Sequence, residues 1–89
     1  MIKKQLHIMN KVGLHARPAS VFVQKAKIFK CSLRVSFGGR EVDAKSILSM
    51  LTLGANEGAL ITLHAEGEDE AEAMEELSAL VESNFGETI

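Results

Sequence analysis

An imidazole, a guanidinium and a proline lie within four positions of the chain, at His15, Arg17 and Pro18. The apolar residues that follow recur at the spacing of a helix packed on a core, at Ala19, Phe22, Val23 and Ala26. A helix is therefore predicted to begin here, with backbone N–H groups in its first turn that lack intrahelical partners. Proline suits a first turn, because its missing N–H costs little there. We expect His15 at or beside the N-cap and Arg17 in the first turn, where the positive end of the helix dipole would favour a phosphoryl group.

The chemistry that these residues favour is phosphoryl transfer through the histidine. A neutral imidazole is a nucleophile, and its reference pKa of about 6.5 leaves much of it neutral at pH 7. Arg17 and the helix N-terminus both disfavour a protonated ring, so we expect the pKa of His15 to be lowered. The same groups would stabilise an attached phosphoryl modestly, which suits a group that is handed on. The alternative is an ordinary histidine near a helix start, with a solvated arginine beside it.

Length and composition favour one domain over residues 1–89 with a single core, since the chain has 89 residues and is 46% hydrophobic. No apolar run approaches the roughly 20 residues of a membrane span, and the N-terminus has no apolar signal region. Cys31 is the sole cysteine, which excludes an internal disulfide and a cysteine-based metal site and favours the reducing cytoplasm. The lack of Trp and Tyr argues against a surface on which nucleic-acid bases stack.

Charge is distributed unevenly along the chain. All ten Lys and Arg residues lie at or before Lys45, where two acids accompany them and leave a net charge of +8. The remaining residues carry ten acids and no Lys or Arg, a net charge of −10. Partners that dock over His15 are therefore expected to be acidic proteins, although an ordinary solvated surface is the alternative. The basic residues are scattered singly, which makes nucleic acid a less suitable partner.

The first half of the chain is predicted to form a strand over residues 2–8, a helix that runs to about Ile28 or Phe29, and a two-stranded hairpin. In the strand after Cys31, apolar residues alternate with polar ones, and Gly38-Gly39 marks a tight turn into the next strand. We expect Cys31 to be a small, nearly buried apolar residue, and His7 to be a surface histidine.

Ser46 and Gly54 frame a short second helix as N-cap and C′ residue. Its apolar residues Ile47, Leu48 and Leu51 are more than one face of so short a helix can bury. On the residue pattern alone we favour core packing for these three, whereas partial exposure would mark a docking site.

The last third of the chain is predicted to form a strand with Ile61, Leu63 and Ala65 on one face, followed by an acidic helix. The default interpretation of His64, on the opposite face, is a surface histidine. Asp69 is expected to cap the helix in a capping box with Glu72. The expected inner stripe of the helix is Ala71, Met74, Leu77, Ser78 and Val81.

The predicted order is β-α-β-β-α-β-α, an α+β fold with helices on one face of an antiparallel sheet. Strand order stays open, because a ferredoxin-like pairing and at least one other arrangement satisfy the same pattern.

Two segments, Gly13-Leu14-His15-Ala16-Arg17-Pro18-Ala19 and, about thirty residues later, Ala44-Lys45-Ser46-Ile47, resemble the HPr family. These are the histidine-containing phosphocarrier proteins of the bacterial sugar phosphotransferase system. The similarity covers nearly the whole chain and includes Thr52-Leu53-Gly54 and the acidic run 66–70. It implies an open-faced β-sandwich, with four antiparallel strands in the order 1-4-2-3 and three helices on one side.

The resemblance also assigns roles to residues. It implies that His15 accepts a phosphoryl group at Nδ1 from phosphorylated enzyme I and passes it to sugar-specific IIA domains, while Arg17 stabilises the phosphorylated state. It implies a monomeric carrier rather than an enzyme, without cofactor or metal. The implied docking residues are Ala16, Ser20, Ile47, Leu48 and Leu51.

A second implied site is Ser46, which an HPr kinase/phosphorylase phosphorylates in many family members to slow transfer and feed carbon-catabolite control through a transcriptional regulator. The alternative functions are a signalling or corepressor module read mainly through phospho-Ser46 and a structural domain that uses neither site. Pro18 favours the sugar branch, since the nitrogen-branch paralogue usually has Ala there. His15 distinguishes the chain from the corepressor paralogue, which lacks the histidine.

Overall fold

A computed structural model describes residues 1–9 and 16–86 of the chain. The elements follow the predicted order, with a short 3-10 turn after the last helix: β1 (Ile2–His7), α1 (Ala16–Ala26), β2 (Ser32–Phe37), β3 (Arg40–Asp43), α2 (Ile47–Thr52), β4 (Leu60–Glu66), α3 (Glu70–Glu82) and the turn Asn84–Gly86. None of the helices in the described ranges is long and apolar enough to cross a membrane.

The strands form one antiparallel sheet in the order β1-β4-β2-β3 across the described residues. The order that the residue pattern left open is therefore the one that the family resemblance implies. Register aligns apolar residues across the strands, since Val35 of β2 faces both Leu63 of β4 and Val42 of β3. These aligned side chains make one face of the sheet continuously apolar.

The helices cover that apolar face, and the opposite face is polar and open. Buried and more exposed residues alternate along β2 and β4, as expected for a sheet covered on one side. Side chains from the helices and strands join a single hydrophobic cluster, in which Phe22 of α1, Leu77 of α3 and Leu63 of β4 are fully buried. The described part of the chain therefore has one core.

Helix α1 buries the predicted stripe of Ala19, Phe22, Val23 and Ala26. The helix is shorter than predicted, because it ends at Ala26 rather than at Ile28 or Phe29. The N–H groups of Ile28 and Phe29 bond to carbonyls three residues back, at 3.3 and 3.2 Å, instead of four. This tighter turn brings Phe29 into the core and leaves Ile28 exposed.

The predicted hairpin between β2 and β3 is confirmed. Gly38 and Gly39 have φ values of +60° and +82°, the left-handed conformation that a tight two-residue turn requires at both central positions. Glycine reaches this conformation without the penalty that a Cβ would bring.

Helix α3 differs from the prediction in two details. The buried face includes Ala73 and leaves Ala71 exposed, because it is centred on Leu77 and Val81 and Ala73 lies one turn before Leu77. The predicted capping box is wrong as well, since the Asp69 side chain makes no capping hydrogen bond.

The carboxylate of Asp69 instead accepts hydrogen bonds from backbone N–H groups in the connection between α1 and β2. The segment before α3 is held by Glu70, whose Oε1 accepts a hydrogen bond from the Gly67 N–H at 3.0 Å. That bond holds the pKa of Glu70 below its ordinary value.

Candidate functional site

The predicted phosphoryl acceptor, His15, lies outside the described residues. Its placement at the N-cap of α1 and its lowered pKa therefore stay predictions. In the sequence it directly precedes Ala16, the residue at which α1 begins.

The first turn of α1 combines exposed and buried side chains. Ala16 and Arg17 are exposed, whereas Pro18 and Ala19 are buried. The turn, all of it described, contains no acidic residue. The positive charge of Arg17 therefore meets no opposing carboxylate from its own turn and adds to the positive end of the helix dipole. This arrangement favours an anion near the start of α1.

Ser46 caps α2 as predicted. Its backbone is extended, with φ −118° and ψ 117°, and its Oγ accepts a hydrogen bond from the Ser49 N–H at 3.3 Å. Gly54 follows the helix with φ +75°, as its predicted role as C′ residue requires. The Ser46 side chain is half-buried, so its hydroxyl remains close to the surface while it satisfies the helix end.

The apolar side chains of α2 form an exposed patch, defined by Ile47, Leu48 and Leu51. Their exposed fractions are 39%, 74% and 38%. The expectation of core packing for these three is therefore wrong. A short surface helix buries only the face that lies on the core, and within α2 that face holds Met50. Three exposed apolar residues on so short an element are typical of a docking surface.

Helix α2 packs against α1, so the α2 patch belongs to the same layer as the predicted acceptor helix. Among the other predicted docking residues, Ala16 is exposed and Ser20 is half-buried. The Ser20 hydroxyl accepts a hydrogen bond from Gln24 Nε2 at 3.4 Å within α1.

Several residues that position α2 were missed from the sequence. Asp43 Oδ1 accepts the Lys45 N–H at 2.9 Å, and Lys45 Nζ donates to the Phe29 carbonyl at 2.7 Å. At the other end, the Arg40 guanidinium bonds to Thr52. The Asp43 turn has a local signal, an aspartate two residues before the N–H that it binds. The Lys45 and Arg40 contacts join distant positions and leave no such signal.

Comparison with known proteins identifies the family. A family profile described as the PTS HPr component phosphorylation site matches residues 2–83. The chain belongs to the HPr family. Members of this family are phosphocarriers of the phosphotransferase system rather than enzymes.

Individual relatives match this chain over nearly its whole length. The phosphocarrier protein HPr of Cupriavidus necator is 44% identical over 98% of this chain and 98% of its own length. The crystal structure of HPr-C-His from Thermoanaerobacter tengcongensis matches with a TM-score of 0.96, 45% identity and full coverage of both chains. Crh of Bacillus subtilis, a catabolite-repression protein whose structure is a swapped dimer, matches with a TM-score of 0.76 and 40% identity over 94% and 97% of the two chains.

The open face of the sheet carries a polar cluster around His64. This histidine is half-buried rather than a simple surface residue, and its Nε2 lies 3.1 Å from Ser36 Oγ. Glu41 Oε2 lies 3.9 Å from the same nitrogen, and Glu41 Oε1 accepts a hydrogen bond from Arg34 Nε at 2.6 Å. A catalytic triad needs the hydroxyl and the carboxylate on opposite ring nitrogens, so this cluster does not form one. His7 is exposed, as predicted.

Cys31 is buried, as predicted. Burial raises the pKa of its thiol to about 11, and the neighbouring Asp69 carboxylate adds to the effect. The thiol is therefore protonated at neutral pH, a poor nucleophile and a poor metal ligand. Within the part of the chain that the structure describes, no group of three or more His, Cys, Asp or Glu side chains could hold a metal ion.

Proposed function

We propose that this chain carries a phosphoryl group on His15, which it accepts from phosphorylated enzyme I and passes to a sugar-specific IIA domain. The observation that carries the proposal is the family match, which is described as a phosphorylation site and spans His15. In the transfer, a lone pair on Nδ1 of the neutral imidazole forms the new bond to phosphorus, while the bond between phosphorus and the donor breaks. Transfer to the IIA domain reverses the roles, with His15 as the leaving group.

The first turn of α1 supports this chemistry. Arg17 is exposed and next but one to His15 in the chain, and its own turn has no acidic residue to compete for it. A guanidinium can hold two phosphoryl oxygens at once, which is the geometry that arginine favours with phosphate. We propose that Arg17 stabilises the phosphoryl group while it is attached and during transfer.

The α2 patch supports protein partners for this transfer. Ile47, Leu48 and Leu51 offer an apolar centre, and the first half of the chain, which includes His15 and Arg17, carries a net +8 charge. An apolar centre with a charged surround is typical of protein interfaces. We propose that acidic surfaces of enzyme I and the IIA domain dock over this patch, with Ala16 and Ser20 at its border.

A second proposed function is regulation by phosphorylation of Ser46 by an HPr kinase/phosphorylase, with a transcriptional regulator as a further partner. It is supported by the catabolite-repression protein Crh among the relatives, and by the position of Ser46 as a near-surface cap. A phosphate of charge about −1.5 to −2 faces free N–H groups at a helix N-cap, so α2 need not unfold. The charge would lie directly before the apolar patch and repel an acidic enzyme I.

We also propose that residues 1–89 form one domain, that the protein is monomeric, and that it acts in the cytoplasm. Side chains from β1 to the final 3-10 turn share one hydrophobic cluster, which supports a single domain. A lone, buried cysteine suits a reducing compartment.

The carrier proposal is tested with enzyme I and phosphoenolpyruvate whose phosphoryl group is radiolabelled. The wild-type chain should gain an acid-labile, base-stable label that a IIA domain removes, and His15→Ala should gain none. A wild-type chain that gains no label, or a His15→Ala chain that gains as much, would overturn the proposal. His7→Ala is the matched control, because His7 is an exposed histidine on β1.

The regulatory proposal is tested with ATP and an HPr kinase. The wild-type chain should gain an acid-stable label that Ser46→Ala abolishes and Ser49→Ala retains. Phosphorylated chain should then accept the phosphoryl group from enzyme I more slowly. Equal labelling of Ser46→Ala and wild type would contradict the assignment.

A further inference from the structure

We infer that Arg40 is a positioning residue for docking: its guanidinium fixes the C-terminal end of α2 and thereby holds the α2 patch in the orientation that partners bind. This inference rests on the proposed carrier function and adds a residue of β3 to it. The evidence is the pair of hydrogen bonds between Arg40 and Thr52, which lie at the end of α2 opposite the Ser46 cap.

The C-terminal end of α2 has no positive charge of its own. A helix end leaves carbonyl groups without intrahelical partners and carries partial negative charge. The last turn of α2, which is fully described, contains no basic residue. Arg40 supplies a positive charge and hydrogen-bond donors at this end. Its Nη1 donates to the Thr52 carbonyl and its Nη2 donates to Thr52 Oγ1 at 3.3 Å.

Thr52 transmits this contact to the helix. Its hydroxyl donates a hydrogen bond to the Ser49 carbonyl at 2.7 Å, while the same oxygen accepts from Arg40. The guanidinium therefore binds a backbone carbonyl and a side chain that is itself bonded to the preceding turn. Leu51, the last residue of the α2 patch, directly precedes Thr52 in the chain.

The backbone of Arg40 is placed by the hairpin. It is the first residue of β3 and pairs with Phe37 of β2 across the Gly38-Gly39 turn. At the end of α2 opposite the Ser46 cap, the sheet thus reaches the helix through the Arg40 cation. Within α2, Met50 is the buried residue, so the cap, Met50 and Arg40 together define how the helix is rotated on the core.

A preformed helix loses less conformational freedom when a partner binds than one that frays. Loss of the Arg40 contact should therefore weaken docking and leave the phosphoryl chemistry at His15 unchanged. In steady-state phosphorylation by enzyme I, the KM for this chain should rise while kcat stays constant.

The test compares Arg40→Met, Thr52→Val and the double variant, with Arg34→Met as the matched control. Arg34 is an exposed arginine whose guanidinium bonds to Glu41 on the open face of the sheet. We expect Arg40→Met to raise KM about threefold to tenfold, through lost preorganisation, at unchanged kcat. Thr52→Val should raise KM less, Thr52→Ser should restore it, and the double variant should be no worse than Arg40→Met. The control should leave KM within twofold of wild type.

Hydrogen exchange of the isolated chain tests the positioning role of Arg40 without enzyme I. The Met50 and Leu53 amides, which bond to the Ser46 and Met50 carbonyls, should exchange faster in Arg40→Met and at the wild-type rate in Arg34→Met. Unchanged exchange in Arg40→Met would overturn the positioning role, even if the chain proves not to be a carrier.

If Arg40 contacted the partner directly through its charge, Arg40→Met would also raise KM. The variants separate this direct contact from the positioning role. Thr52→Val keeps the charge of Arg40, so a direct contact predicts no effect of this substitution and predicts that the Arg40→Met effect disappears at high salt. Additive effects of the two substitutions would likewise overturn the inference.

Discussion

The carboxylate of Asp69 accepts a hydrogen bond from the backbone N–H of Cys31 at 2.9 Å, although the two residues are 38 positions apart. Its second oxygen accepts the Lys30 N–H at 2.8 Å. Asp69 thereby joins the start of α3 to the connection between α1 and β2. The Lys30 N–H is the main cause that lowers the pKa of Asp69, since it favours the ionised carboxylate.

Replacement of Asp69 by Asn should change how stability depends on pH. Because the pKa of Asp69 is lower in the folded chain than the ordinary 3.8, its ionised form stabilises the fold above that pH. This stabilisation is lost as the pH falls through the folded pKa. Asp69→Asn should therefore lower the free energy of unfolding at pH 7 and flatten its acid dependence.

Urea denaturation between about pH 2 and 7 measures this effect. Glu68→Gln is the control, since Glu68 is an exposed acid in the same segment. An acid dependence of Asp69→Asn as steep as that of wild type would contradict the account.

Gly67 should tolerate substitution worse than other glycines with positive φ. Its φ is +146°, and a Cβ built there would lie 2.7 Å from Cys31 Cβ and 2.8 Å from Cys31 Cα. The backbone must move to admit it, so Gly67→Ala should cost about 1–3 kcal/mol from crowding in addition to backbone strain. Gly58→Ala is the control, because its φ of +86° brings similar strain but its Cβ would meet open space. Equal losses of stability in the two variants would show that the crowding is absent.

Patterns within one element could be predicted from the sequence, whereas contacts between elements could not. The stripe of α1, the Gly38-Gly39 turn and the Ser46 cap each depend on residues a few positions apart, and each is confirmed. Asp69 has the type and position of a helix cap, but its carboxylate meets N–H groups brought near by the fold of the whole chain. A local motif cannot reveal that distant N–H groups bind the carboxylate in place of the helix end.

The candidate site was predictable to different degrees for the same reason. The residue pattern left the strand order open and wrongly favoured core packing for Ile47, Leu48 and Leu51. Both features depend on which surfaces the neighbouring elements cover. The family resemblance supplied the order. Likewise, the residue pattern indicates a plain surface histidine at His64 and cannot reveal its neighbours Ser36 and Glu41, which lie on other strands.

Ser78 should be replaceable by Ala with a gain in stability. Its side chain is 3% exposed, and its Oγ has no hydrogen-bond partner among the described residues. A buried unpaired hydroxyl is costly, and Ala also favours the helix, so Ser78→Ala should raise the free energy of unfolding by about 0.5–1.5 kcal/mol. Urea denaturation measures the change. Ser83→Ala, which removes a hydroxyl bonded to the Leu80 carbonyl, should give no such gain. A loss of stability in Ser78→Ala would mean that the hydroxyl has a partner after all.

Leu48 should contribute to docking and not to folding. Because its side chain is 74% exposed, Leu48→Ser should change the free energy of unfolding by less than about 0.5 kcal/mol. We expect Leu48 to be a central residue of the interface, where truncation costs more than about 1 kcal/mol, so the KM for phosphorylation by enzyme I should rise at least fivefold. Ile28→Ser is the matched control, since Ile28 is 65% exposed but lies after α1, away from the α2 sequence. A larger effect of Ile28→Ser on KM would place the docking surface elsewhere.

The phosphorylated atom tests the central claim most directly. Chain with 15N-labelled histidine rings, phosphorylated by enzyme I and phosphoenolpyruvate, contains three candidate acceptors, His7, His15 and His64. Ring-nitrogen NMR should show phosphorus bonded to Nδ1 of His15 alone, with a shift of the Arg17 amide and no change in the other two rings. Phosphorus on His7 or His64, or on no histidine ring, would contradict the account.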